Sequence, residues 1–280
     1  MTVRDDAWFE REYNPRVTVT DTSALVAAWS ERSAATRAAR PFLADIRTGE
    51  NPREVVDVFR ADGARGAVVY IHGGYFRKFS KVETSFVADG FLDAGLTVVL
   101  MNYPLCPDVA LEDLIESVRR SFGRIVAEIL TPEERAAVVV TGHSAGGYLT
   151  AALIATDWTA RGLPARPFHG AAPISGVFDL APLLRTTMNG EIRLSADRAP
   201  ALDLIGAPQR VHVPVVAAVG GAETAEFHRQ SDDFAAAWTA PRPSVLRVPG
   251  ANHFTVLDSL ATPGASLNAA VVDMALAAAG

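Results

Sequence analysis

Ser144, Glu223 and His253 are the side chains whose types, spacing and order could together make an activated nucleophile. Ser144 stands in Thr141-Gly142-His143-Ser144-Ala145-Gly146-Gly147-Tyr148, directly after valines at 138–140. A strand that turns sharply into a helix leaves such a hydroxyl exposed, and glycines at 142 and 146 omit the Cβ atoms that would clash in the turn. A serine is a weak nucleophile until a histidine removes its proton, and that histidine needs a carboxylate to fix its tautomer. Of six histidines, His72 and His143 fall inside glycine motifs, His169 and His212 abut expected strands, and His228 falls in an expected helix. His253 alone occupies a loop after the last expected strand, in Pro249-Gly250-Ala251-Asn252-His253-Phe254. From there a ring can reach the carboxyl ends of a parallel sheet. The acid should lie between Ser144 and His253 in the chain. Position favours Glu223, after Gly220-Gly221, with Asp179, Glu226 and Asp203 as competitors.

Acyl transfer through such a serine also needs donors for the oxyanion of its tetrahedral intermediate. The N–H of Ala145 is one expected donor, and Gly73 and Gly74 in Ile71-His72-Gly73-Gly74-Tyr75 supply the others. His72 is expected to hold that turn by hydrogen bonds and not to act as a base. Tyr75, Phe76 and Phe254 are the expected pocket walls, whereas Tyr148 and Phe178 suit the core as well. Arg185, Arg193 and Arg198 read as solvated, with a substrate carboxylate as the alternative partner.

These residues must be carried by a sheet. Apolar runs at 67–71, 97–101, 136–140, 170–174 and 215–219 have the continuous character of strands buried on both faces, as in a parallel sheet. A further strand is expected at 244–248. Between them the clearest helix spans 111–130, where Leu111, Leu114, Ile115, Val118, Phe122, Ile125, Val126 and Ile129 recur at helical spacing before Pro132. Other helices are expected at 83–94, 147–160, 224–239 and 267–278. The alternation argues for a doubly wound α/β sheet. Before residue 55 the pattern changes to an alanine-rich helical segment at about 22–40, and 42–47 and 55–60 read as antiparallel strands opening the sheet. Prolines and arginines interrupt the alternation at 178–212, which is expected to form a small lid with the N-terminal segment 1–54. A single domain over 1–280 follows.

Composition narrows the partners. Hydrophobic residues make up 49%, yet no run nears the ~20 needed to span a bilayer, and the charged start lacks a signal peptide's apolar stretch. A soluble, cytoplasmic protein is expected. The one cysteine, Cys106, excludes an intrachain disulfide and reads as a packed thiol. A net charge of −6 gives no global attraction to nucleic acid or anionic membranes, so the expected partner is a small molecule. A homodimer is compatible with the sequence. Neither a phosphate loop nor a His-Glu-x-x-His metal helix occurs, and Gly63-Ala64-Arg65-Gly66 precedes a strand instead of following one.

Through Ile71–Tyr75, the serine motif, the Glu223 segment and the His253 loop, the sequence resembles the α/β-hydrolase superfamily, specifically esterases and kynurenine formamidases related to hormone-sensitive lipase. Within that group Glu12-Tyr13-Asn14-Pro15-Arg16, His72-Gly73-Gly74-Tyr75-Phe76, Asn102-Tyr103-Pro104-Leu105-Cys106-Pro107 and Glu223-Thr224-Ala225-Glu226-Phe227-His228-Arg229-Gln230-Ser231 look most like the formamidase branch. The resemblance implies an α/β-hydrolase fold and a serine hydrolase needing no metal or cofactor. It also places the acid at Glu223, and it implies an aryl formamide such as N-formylkynurenine as substrate. A carboxylesterase acting on small aromatic or acyl esters shares every motif named. Phe76 stands where the family often has tryptophan, the acid is glutamate instead of aspartate, and Ala225 replaces a proline. A non-catalytic binding protein on this fold is the remaining alternative, disfavoured because nucleophile, base and oxyanion turn are all retained.

Overall fold

The computed structural model of the protein describes residues 4–238 and 241–279. Eight strands of the described residues form one sheet: β1 (Leu43–Arg47), β2 (Val55–Phe59), β3 (Gly66–Ile71), β4 (Leu96–Met101), β5 (Val138–His143), β6 (Gly170–Ile174), β7 (Val216–Gly220) and β8 (Ser244–Val248). Their order is β1-β2-β4-β3-β5-β6-β7-β8. The first two pair antiparallel and β2 meets β4 antiparallel; every later pairing is parallel. Strands β2 to β6 are buried along their whole length, as their unbroken apolar runs predict. The edge strand β1 is mostly exposed, and a register shift between Leu43 and Ile46 interrupts its pairing, which blunts the edge.

Alternate residues of each strand enter opposite cores. Val69, Ile71, Val138 and Val140 face one side with helices α3 (Leu111–Arg124), α4 (Ala145–Ile154) and α5 (Ala225–Ala237); Val68, Tyr70, Val139 and Ile174 face the other. The second face is covered by Trp29 of α2 (Thr22–Ala39) and by Leu267, Val271 and Met274 of α6 (Ser266–Ala279). Each fully buried valine or isoleucine in these layers contributes about 1.5–3 kcal/mol relative to exposure. Helix α1 (Asp6–Tyr13), which the sequence pattern does not announce, precedes α2 and packs on α5.

Four expected elements differ, the first being the helix expected at 147–160, which spans Ala145–Ile154. The strand anticipated at 136–140 begins at Val138 and runs on through His143, so that the sheet delivers the chain up to the serine itself. The helix expected at 83–94 is a tight turn at Ser85–Ala88 followed by one helical turn, Asp89–Leu92, because Phe86, Val87 and Phe91 bury themselves on the sheet and Gly90 lies against the Leu260 carbonyl. The long helix at 111–130 changes after Arg124 to a wider π turn over Ile125–Ile129. For α5 the expected last residue, Thr239, lies outside the described residues. The 178–212 segment holds only short turns of helix, with Leu183, Ile192, Leu194 and Leu202 buried in the core. Among the described residues no helix is long and apolar enough to cross a membrane.

Candidate active site

Strand β5 ends at His143 and α4 begins at Ala145, so Ser144 occupies the turn between them with φ 56° and ψ −116°. That conformation is disfavoured for a residue with a Cβ and persists only where neighbours over-determine it. Here the Ser144 N–H donates to the Ile174 carbonyl at 2.8 Å, and its own carbonyl accepts from the N–H groups of Gly147 and Tyr148. The glycines permit the crossing: a Cβ on Gly146 would stand 2.0 Å from the Ile71 carbonyl oxygen, and one on Gly142 would stand 2.4 Å from that of Gly146.

The turn after β3 lies directly against the serine. A Cβ on Gly73 would sit 3.1 Å from the Ser144 Cβ, so only glycine brings the backbone this close. Gly74, Tyr75 and Phe76 all have positive φ, at 112°, 50° and 61°, and the Gly74 carbonyl accepts from the N–H groups of Arg77 and Lys78. Among the described residues no backbone acceptor takes the N–H of Gly73, Gly74 or Ala145. Gly73 and Ala145 adjoin Ser144 directly, and Gly74 lines the same pocket. His72 Nδ1 lies 2.7 Å from the Gly73 carbonyl and its ring stacks on Tyr103, whose hydroxyl donates to the His72 carbonyl. Burial pushes the His72 ring down to about 3, which suits the expected structural role.

His253 Nδ1 lies 2.6 Å from Glu223 Oε2. The other oxygen of Glu223 accepts from the Ser175 hydroxyl at 2.6 Å and the Gly220 N–H at 2.7 Å. The extra methylene of glutamate is absorbed by this fold-back onto its own turn, which is how the loop accommodates a longer acid. Of the four carboxylates weighed from the sequence, Glu223 is the one bonded to His253. Glu226 turns to the Tyr13 hydroxyl at 2.5 Å and to Arg229, while Asp179 and Asp203 accept from N–H groups of their own turns. The His253 loop is braced by Asn252, whose side-chain oxygen takes the N–H groups of Phe254 and Thr255. The His253 carbonyl lies 2.7 Å from Nε2 of His143, a ring that burial holds neutral, well below the ordinary histidine range. His143 and Ser175 were not singled out by the sequence. His143 sits inside the serine motif, where its neighbours absorb the attention; Ser175 carries no signal beyond ending β6.

Ser144 and His253 line one narrow pocket of about 50 Å³, without a hydrogen bond between them. Such bonds are often long before substrate binds. The pocket is walled by Asn14, Pro15, Trp29, Tyr75, Phe79, Met188 and Phe254, with Arg16, Arg77 and Lys78 also present. Tyr75 and Phe254 are where the sequence expects them. Phe76 is not: it is buried in the core, edge-on to Tyr148 at 5.5 Å, because the positive φ at 76 turns its side chain inward. None of Arg185, Arg193 and Arg198 lines the pocket; Arg185 pairs with Asp6 and Arg198 with Glu112. The N-terminal segment enters as a strap. Tyr13 bonds Glu226, the Thr224 hydroxyl donates to the Glu12 carbonyl at 2.6 Å, and the Tyr75 hydroxyl donates to the Tyr13 carbonyl.

A family model described as the alpha/beta hydrolase fold matches residues 68–228, from β3 past the serine turn into α5. This chain belongs to the α/β-hydrolase family. The hydrolase is 28% identical over 272 residues to the kynurenine formamidase of Salmo salar, a match covering 90% of each chain. It is 31% identical to the carboxylesterase/phospholipase LipF of Mycobacterium tuberculosis over 129 residues, which covers 42% of this chain and 33% of that one. Among solved structures, a candidate thioesterase from Silicibacter sp. TM1040 superposes with a TM-score of 0.84 at 29% identity, covering 95% of this chain and 98% of the other. The enzyme is thus a hydrolase, related in sequence to both formamidases and esterases.

Proposed function

We propose that this hydrolase cleaves small acyl groups, foremost formyl, from aryl amines through a Ser144 acyl-enzyme. The observation that carries the reading is the 2.6 Å bond between Glu223 and His253 beside a strained serine that Gly73 and Ala145 adjoin directly. In the first step Ser144 Oγ bonds to the substrate carbonyl carbon while His253 Nε2 takes the hydroxyl proton. The carbonyl oxygen gains the negative charge and is held by the N–H groups of Gly73, Gly74 and Ala145. The carbon–nitrogen bond then breaks as His253 returns the proton to the departing amine. Water, deprotonated by the same ring, next attacks the acyl ester and releases the carboxylic acid with Ser144 restored. Glu223 keeps the proton on Nδ1, leaving Nε2 free for this traffic.

The small volume of the pocket supports a small acyl group, because a longer one would compete for room with the aryl group that leaves. Formamidase chemistry is further supported by a relative matched over 90% of both chains, whereas the carboxylesterase match covers under half of this chain. Carboxylester hydrolysis is the second reading, because the same groups would expel an alcohol by the same steps. One preparation should be assayed with N-formylkynurenine and with p-nitrophenyl esters of increasing chain length. The formamidase reading expects the higher kcat/KM for N-formylkynurenine and a steep fall with acyl length; an ester advantage above ~10³-fold, about 4 kcal/mol, leaves the esterase. Ser144→Ala should lower kcat by ~10⁴-fold or more and abolish labelling by a fluorophosphonate. Near wild-type turnover in that variant, free of contaminating hydrolase, would reject the serine mechanism for both.

A further inference from the structure

His143 takes no part in the steps above, yet it adjoins the nucleophile, the base and the oxyanion turn. It ends β5, and its buried ring lies 4.7 Å from that of His253, centre to centre, with Trp29 edge-on to it at 6.1 Å. Its Nε2 meets the His253 carbonyl at 2.7 Å. A carbonyl only accepts, so Nε2 carries the proton and the ring is the donor. Burial holds the ring neutral, well below the ordinary histidine range, which makes it a poor base. Its neutrality also serves its neighbour, because a fixed positive charge this close would oppose the imidazolium that His253 must become.

The backbone of the base has little else to hold it. The carbonyls on either side join the short helix Val256–Ala261, Asn252 accepting from the Val256 N–H at 3.0 Å and Phe254 from the Leu257 N–H at 3.4 Å. The His253 carbonyl does not join them: among the described residues no backbone N–H donates to it. Ala251 ties the loop to the turn of the acid by accepting from the Ala222 N–H at 2.9 Å, and His143 ties it to the strand of the nucleophile. A Cβ on Gly73 would stand 3.1 Å from His143 Nδ1, so the same ring borders the oxyanion turn. We propose that His143 is a positioning residue for the base: its Nε2 proton pins the His253 backbone to β5, so that the ring, held at Nδ1 by Glu223, stays aimed at Ser144. The proposal rests on the hydrolysis at Ser144 argued above. Two fixed points orient the ring, and a base misplaced by about 1 Å loses on the order of 10²-fold in rate.

The test compares His143→Gln, whose amide nitrogen reaches the position of Nε2, with His143→Met, which has similar length and no donor. Both are assayed on N-formylkynurenine and p-nitrophenyl acetate, with kcat expressed per folded molecule from urea titrations. His143→Met should lower kcat by about 10–100-fold with KM within about threefold of wild type, and His143→Gln should stay within about threefold in both. In proton–nitrogen correlation spectra of the labelled imidazoles, His253 should keep its proton on Nδ1 in wild type and His143→Gln, and become a mixture of tautomers in His143→Met. If His143→Met fails to fold, His143→Asn, whose amide stops short of the carbonyl, replaces it with the same expected loss. A purely structural role would reduce the folded fraction but leave kcat per folded molecule and the His253 tautomer unchanged. That result rejects the proposal, as does a loss in His143→Gln as large as in His143→Met. If Ser144→Ala keeps wild-type turnover, the hydrolysis reading fails and the His253 tautomer still decides. A mixture confined to the variant without the donor supports the clamp; a proton on Nδ1 throughout rejects it.

Discussion

Ser144 holds a backbone conformation, φ 56° and ψ −116°, that glycine would adopt without strain. Replacing it by glycine or by alanine removes the same hydroxyl, but only glycine relieves the turn. Ser144→Gly should therefore exceed Ser144→Ala in unfolding free energy by about 1 kcal/mol in urea titrations, although glycine's greater unfolded-state freedom offsets part of the gain. Equal stability would mean that the Ile174 and Gly147 hydrogen bonds relax around the turn. The two acids of α5's N-terminal region give a second contrast. Glu223→Gln should cost ~10²–10⁴ in kcat, since an amide keeps the shape but cannot stabilise the imidazolium, whereas Glu226→Gln should act mainly on stability through Tyr13 and Arg229. A larger kcat loss at Glu226 would move the acid assignment. Serine, histidine and glutamate were legible because chain order and strand ends constrain them. His143 and Ser175 were not, because each acts through one backbone or carboxylate contact that forms only when distant segments meet; Asn252 braces its own turn through two local contacts that its residue type alone does not announce.

At the scale of elements, the strands were readable to within two or three residues because burial on both faces leaves unbroken apolar runs. Helix α3 was readable from its periodicity, yet the π turn after it was not, since Ile125 and Val126 stay buried whether the spacing is four or five. Helix α1 escaped notice because its fixing contacts are polar and remote: Tyr13 reaches across 213 residues of sequence to Glu226. That contact is buried, and Gln230 and Arg229 donate to the same hydroxyl. Tyr13→Phe removes the hydroxyl's bond to the Glu226 carboxylate, although Glu226 keeps Arg229 and Gln230 keeps the Asp179 carbonyl, and the loss of a bond to a charged group should cost about 1.5–3 kcal/mol in a urea titration. Wild-type stability in this variant would show that the strap is held by the apolar contacts of Phe9 and Phe227 alone.

At the scale of the whole molecule, net charge conceals local charge: the −6 of the chain gives no sign that Arg16, Arg77 and Lys78 line one pocket, where the fold joins two distant segments. The same burial that builds the site sets its response to acid. His72 and His143 are neutral in the folded protein, the first pushed down to about 3 and the second well below the ordinary range, both chiefly by burial. Unfolding returns each to about 6.5, so below that pH the unfolded chain binds more protons than the native one. Their contribution is fully present above about pH 6.5 and is lost as pH falls toward the folded values. Between about pH 6 and pH 5 each histidine should remove up to about 1.4 kcal/mol per pH unit. Carboxylates enter later: in Glu134 burial opposes ionisation, but hydrogen bonds from Arg60 and Thr97 outweigh it, so its stabilisation fades only through the more acidic carboxylate range. Urea titrations at about pH 7, 6 and 5 should show the loss beginning in the histidine window. The slope should be shallower in His72→Gln, whatever that variant's stability at neutral pH. A flat profile down to about pH 5 in the wild type, or an unchanged slope in the variant, would mean that water or rearrangement solvates the His72 ring in the native state.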